Sequence, residues 1–126
     1  MLADTRAYSG FAVGDFAAAR TFYAETLGLR VTVLAEDVLM QLDLAGGRDT
    51  LIYAKDDHVP AVFTILNFVV DDIEAAVDGL MARGVTFERY EGFDQDERGI
   101  ARGPEGPDIA WFTDGSGNIL SVHTPM

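Results

Sequence analysis

The chain contains no cysteine, which excludes disulfides, zinc–thiolate sites and thiol nucleophiles at once. Imidazole is almost as scarce, with His58 and His123 the only two histidines. Basic residues are few: 9 Lys and Arg stand against 21 Asp and Glu, for a formal charge of −12. That charge repels phosphate backbones and no basic patch offsets it, so no nucleic-acid partner is expected. It would draw in a cationic ligand, although its plainer consequence is solubility. No apolar run approaches the ~20 residues that span a bilayer, so no membrane partner is expected. The opening segment MLADTRAYSG lacks the basic-then-apolar pattern of a secretion signal, and a cytoplasmic protein is the expectation.

What is present is an internal repeat within 126 residues, a length that suits one domain with its own core. FAVGDFAAA at Phe11–Ala19 lies on FVVDDIEAA at Phe68–Ala76 with an offset of 57 residues. Asp15 and Asp72 each precede a helical segment, where a carboxylate can accept the free N–H groups of the first turn. Phe16, Ala19, Phe22, Tyr23 and Leu27 recur at helical spacing, as do Ile73, Ala76, Val77 and Leu80. Gly28 and Gly84 follow, where a left-handed residue ends a helix. In the first copy, strands are expected over Val38–Leu44 and Thr50–Ala54 around the turn Ala45–Asp49. In the second, Ile109–Thr113 and Ile119–His123 flank the Gly-rich turn Asp114–Asn118. Each copy therefore reads as βαβββ. Within the second copy, ahead of its closing hairpin, lies Glu91–Asp108, polar and rich in Gly and Pro, with a short strand expected near Gly99–Arg102. A loop this long is either a lid that packs Phe93 and Ile100 over something or a surface excursion.

The phrases FAVGDFAAARTFYAETLGL, VVDDIEAAVDGLMARGVTFE and AWFTDGSGNILSV, in this order and repeated, resemble the vicinal oxygen chelate superfamily of glyoxalases, bleomycin-resistance proteins and dioxygenases. The resemblance covers nearly the whole chain. It implies an α+β fold: one domain over residues 1–126 whose two tandem βαβββ modules, about 5–57 and 61–124, form a curved mixed sheet around a cavity. In metal-dependent members four inward positions hold His or Gln, Glu, His and Glu. Carried onto this sequence those positions fall on Tyr8, Ile52, Ile65 and Ser121, with Ile52 placed by matching LIY to LSV. Aliphatic and neutral hydroxyl side chains are poor donors for a divalent ion. No metal and no other cofactor is expected.

By strand alternation, Asn67 and Ile119 share the inward face with those positions, Gln41 lines up with Asp43, and Trp111 opposes Ala110 and Phe112. The expected ligand-binding set is Tyr8, Gln41, Ile52, Ile65, Asn67, Phe93, Trp111 and Ser121. Aliphatic walls with a phenol, amides and a hydroxyl suit a small apolar or aromatic, possibly cationic, molecule. Ordinary core packing is the competing account, above all for Ile52 and Ile65. The resemblance to bleomycin-resistance proteins implies a homodimer that sequesters its ligand. The alternatives are a lyase, isomerase or dioxygenase-like enzyme using Tyr8, His58 or His123, or a relocated metal site, and a scaffold domain with a filled cavity.

Overall fold

The computed structural model describes residues 1–126. Two compact units follow one another, Met1–His58 and Val59–Met126, so the break falls between the two sequence repeats. In both, the aspartate before the helix acts as its cap. Ala18 N–H donates to Asp15 Oδ1 at 3.0 Å and Ala75 N–H to Asp72 Oδ1 at 3.1 Å. Such caps contribute about 1 kcal/mol each by satisfying a donor that the helix cannot.

Unit 1 runs β1 (Ser9–Val13), α1 (Phe16–Thr21), β2 (Arg30–Ala35), β3 (Leu39–Asp43) and β4 (Thr50–Ala54). The sheet order is β1-β4-β3-β2; β1 is parallel to β4 and the other pairs are antiparallel. The sequence predicts one helix to Leu27, but α1 widens into a π-turn over Phe22–Thr26, with Leu27 N–H donating to Phe22 O at 2.9 Å. The wider turn falls where two consecutive rings, Phe22 and Tyr23, meet edge to face at 5.2 Å. Tyr23 is fully buried and its ring lies 5.8 Å from that of Phe11 on β1, which identifies the helix-covered face. The register carries that face from Phe11 to Ile52 to Met40 to Val33.

Unit 2 runs β5 (Thr64–Val69), α2 (Ile73–Ala82), β6 (Ile109–Thr113) and β7 (Ile119–His123), in sheet order β5-β7-β6. The strand expected after α2 shrinks to a single bridge between Phe87 and Phe112. The reason is competition for one strand edge. Glu88 N–H bonds to Trp111 O at one end of β6, while Ala101, inside the expected Gly99–Arg102 strand, bridges Ile109 at the other. The chain between them leaves the sheet, and the edge is covered in two short pieces. The core face carries Phe68, Val122, Ala110 and, one residue pair along, Leu120 and Phe112, against which the Phe87 ring packs at 5.6 Å.

Pairing also redraws the repeat. Gly10 meets Leu51 in unit 1 as Asn67 meets Ser121 in unit 2. The offset is thus 57 residues on the first strands (Gly10 to Asn67) but 70 on the hairpins (Leu51 to Ser121). Matching LIY to LSV slips by one residue, and a one-residue slip reverses the face of every side chain. The counterpart of Ser121 is Leu51. Ile52, expected to line the ligand face, is fully buried on the opposite, helix-covered face beside Met40. Ile52→Ala is therefore expected to lower unfolding free energy by about 2–5 kcal/mol in denaturant titration. A loss under 1 kcal/mol would place Ile52 outside the core.

Candidate functional site

The opposite face of each sheet carries the polar groups. In unit 2 one row crosses all three strands: Asn67 on β5, Ser121 on β7 and Trp111 on β6. The Ser121 hydroxyl, fully buried, donates to Asn67 Oδ1 at 2.5 Å. That bond leaves the exposed Asn67 –NH2 group as the donor presented by the row. The next row is Val69, His123 and Ile109. His123 Nδ1 lies 2.7 Å from the carbonyl oxygen of Thr124. A carbonyl only accepts, so Nδ1 carries the proton and Nε2 keeps its lone pair in the neutral ring.

The excursion after α2 lays two more rings on this face. Phe93 lies 4.8 Å from Trp111 and Tyr90 lies 5.5 Å from it, at 58° and 74°. These tilted contacts match the arrangement that ring quadrupoles favour. Phe93 remains 54% exposed, so an apolar ring stays open to a ligand beside the buried indole. Burial, with the charge of Glu88 adding to it, pushes the Tyr90 phenol up.

Side chains, more than backbone, hold the excursion. Gln95 sits at its centre, donating to Glu88 O at 2.9 Å and Gly99 O at 2.7 Å while its Oε1 accepts from Tyr90 N–H at 2.9 Å. Arg89 Nη2 donates to Asp96 O at 2.7 Å and Glu97 O at 3.1 Å. Two further arginines tie the segment to α2. Arg98 clasps Asp78 with two bonds of 2.8 and 3.2 Å, and Arg102 bridges Glu74 at 2.9 Å and Asp108 at 2.8 Å.

In unit 1 the corresponding row is Gly10, Leu51, Gln41 and Thr32. Gln41 thus occupies the place of Trp111. Gln41 Nε2 donates to Asp43 Oδ1 at 2.7 Å and Thr32 Oγ1 donates to Asp43 Oδ2 at 3.0 Å. Tyr53 and Leu39 pair on the same face.

The structure therefore unites Asn67, Trp111, Ser121 and Phe93, and puts Gln41 on the equivalent face of unit 1. Tyr8 precedes β1 and is 68% exposed. Ile65 sits in the register irregularity between Thr64 and Leu66, half-buried. His58 lies in the turn after β4, its N–H bonded to Lys55 O at 3.1 Å. Tyr90 and Leu51 were not apparent from sequence. Tyr90 stands three residues before Phe93, but nothing in that spacing shows that both rings return to Trp111. Leu51 is hidden by the one-residue slip.

With Leu51 replacing Ile52, the four positions of the metal-ligand pattern hold Tyr8 and Leu51 in unit 1 and Ile65 and Ser121 in unit 2. No imidazole or carboxylate is among them, and Ser121 already spends its hydroxyl proton on Asn67. This donor set does not fit a divalent ion. No group of three or more His, Cys, Asp or Glu side chains gathers elsewhere. No helix is long and apolar enough to cross a membrane.

The comparisons agree with this architecture. The chain belongs to the Glyoxalase/Bleomycin resistance protein/Dioxygenase superfamily, whose family model matches residues 6–122. Among solved structures it is similar to the antibiotic binding protein TnmS3 from Streptomyces sp. CB03234, at 22% identity and TM-score 0.68 over 98% of both chains. It is also similar to the fosfomycin resistance protein FosX from Listeria monocytogenes, at 12% identity and TM-score 0.72 over 98% of this chain and 94% of that one. A glyoxalase family protein from Enterococcus faecalis matches at 22% identity and TM-score 0.64, over 98% and 99%. At these identities the likeness is one of fold. No curated protein matches.

The excursion has a signed pH dependence. The bond from Arg98 holds the Asp78 carboxyl below its usual value. Burial pushes Asp96 up, but N–H groups of Ile100 and Arg98 and the charge of Arg102 outweigh it and leave it lowered. Groups lowered on folding contribute fully above the ordinary carboxylate range and lose that contribution as pH falls through their lowered values. Amide protection factors at Ile100 and Ala101 are expected to collapse in acid before those of β7. Simultaneous loss across unit 2 would show that the arginine ties do not hold the segment.

Proposed function

We propose that the protein is a non-chelating member of its superfamily that binds a small, apolar or aromatic molecule on the unit 2 sheet face. The carrying observation is the row Asn67–Ser121–Trp111, with Phe93 laid on the indole and left half open. An aromatic platform supplies dispersion and area, while one amide donor orients a ligand carbonyl. Ser121 fixes that amide by engaging its oxygen, so the –NH2 meets the ligand pre-oriented. The resemblance in fold to an antibiotic binding protein is in keeping with a binding role.

Trp111 is the only tryptophan, so its fluorescence reports this face alone. Saturable quenching by 9-fluorenone, a planar aromatic ketone, is expected, with weaker quenching by fluorene, which lacks the carbonyl. Asn67→Ala should weaken fluorenone binding by about fivefold, in keeping with one lost neutral hydrogen bond. Absence of saturable quenching by either compound would sink the reading.

Self-association as a homodimer is part of the same proposal. The segment that opens unit 2 leaves Val59, Val62 and Phe63 at 83%, 93% and 65% exposure, an apolar patch that a second copy would cover. Sedimentation equilibrium should give twice the 13.7 kDa chain mass. A monomer at tens of micromolar would refute the dimer and leave the binding reading untouched.

A further inference from the structure

The polar face of unit 2 carries a hydrogen-bonding group that the aromatic platform does not use. His123 stands two residues beyond Ser121 on β7, and alternation brings it to the same face. The residue is 7% exposed, and its Nδ1–H is spent on Thr124 O at 2.7 Å. Its Nε2, the ring nitrogen farther from the backbone, has no partner in the chain. No wholly buried side-chain nitrogen or oxygen of the molecule lacks a partner, so this lone pair reaches the surface through the small part of the ring left uncovered. The neighbours in its row, Val69 and Ile109, are aliphatic and cannot serve it. An acceptor that is nearly buried yet unserved by the protein is costly, and a leucine would fill the same place without that cost. Asn67 and Val69 on β5 are both exposed, so the face is open beside the imidazole.

We infer that His123 Nε2 receives a hydrogen bond from the ligand, and that the ligand is a planar aromatic molecule bearing a hydroxyl as well as a carbonyl. Asn67 supplies N–H to the carbonyl, while His123 takes the proton end of the hydroxyl. The two residues lie one strand apart and two residues along, about 5 Å and about 7 Å respectively, a span that fits groups on opposite sides of a fused ring system. The bond to Thr124 O fixes the tautomer, so the neutral ring offers a lone pair and no donor at this point. An ether or a second carbonyl would set acceptor against acceptor, which makes the imidazole a means of discrimination as well as attraction. The inference rests on the aromatic-binding reading of this face and deepens it by naming the second polar group of the ligand.

The test uses the full chain and three matched probes read by Trp111 quenching: 9-fluorenone, 3-hydroxy-9-fluorenone and 3-methoxy-9-fluorenone. The hydroxy compound should bind about fivefold more tightly than the methoxy compound, in keeping with one neutral hydrogen bond. His123→Asn keeps an amide N–H within reach of Thr124 O but removes the distal nitrogen, and should abolish that preference while fluorenone affinity stays within about twofold. His123→Gln places an amide oxygen near the lost Nε2 and should restore part of the preference. The unaltered protein gives a second readout should these variants misfold. With two histidines in the chain, the Nε2 nitrogen resonance of His123 is readily assigned, and it should shift with the hydroxy compound and stay in place with the methoxy compound. Equal binding of the two substituted probes overturns the inference, as does a preference that survives His123→Asn or an Nε2 resonance indifferent to the hydroxyl. If fluorenone still quenches in that case, the aromatic-binding function stands and only the hydroxyl assignment fails. If no probe quenches, both readings fall.

Discussion

Gly10 lies opposite Leu51, and Asn67 opposite Ser121, because the first strand of each unit pairs in parallel with its last. A parallel neighbour cannot be reached by a tight turn, so a helix and further chain must intervene. That one constraint explains why each unit has a covered face and a polar one. The helix closes over the side that carries Phe11 or Phe68, and alternation sends Gly10 or Asn67 to the other. The register then decides which side chains of the hairpin join them. Shifting it by one residue would exchange Leu51 for Ile52, and Ser121 for Val122 or Leu120, emptying the polar row in unit 2.

Much of this was legible in the sequence. The capping aspartates, the helix starts, the four hairpin strands and the repeat all follow from local chemistry, because each depends on a few adjacent residues. Asn67, Trp111 and Ser121 came out together because strand alternation is strict over short distances. The misplacement of Ile52 has a different origin. LIY and LSV align well by residue type, yet Leu51 rather than Ile52 is the counterpart of Ser121, and only pairing across strands reveals it. The missing third strand of the unit 2 hairpin set is likewise a tertiary effect, since its sequence, Val85-Thr86-Phe87, is a good strand former. The edge it would occupy is shared with Ala101.

The superfamily scaffold is retained here with different chemistry on each copy. At equivalent positions unit 1 carries Gly10, Leu51 and Gln41 and unit 2 carries Asn67, Ser121 and Trp111. One copy carries a Gln41–Asp43–Thr32 hydrogen-bonded group; the other carries an amide donor and aromatic surface. Neither holds the imidazole and carboxylate pattern that binds a divalent ion. Polar groups nevertheless remain on both faces. Of the four positions, Ser121 bonds to its neighbour Asn67 on the adjacent strand.

The excursion after α2 bears on how such a protein changes over generations. Its two backbone attachments to the sheet are at Glu88 and Ala101, and the rest is held by Gln95, Arg89, Arg98 and Arg102 through side-chain bonds. A substitution at Tyr90 or Phe93 alters what rests on Trp111 without touching strand register or the buried core. The surface resting on Trp111 can therefore change at low cost to folding, whereas in unit 1 every polar group of the corresponding row belongs to a strand. Descendants of such a chain would be expected to vary first in residues 89–100, and to keep Gln95 while doing so.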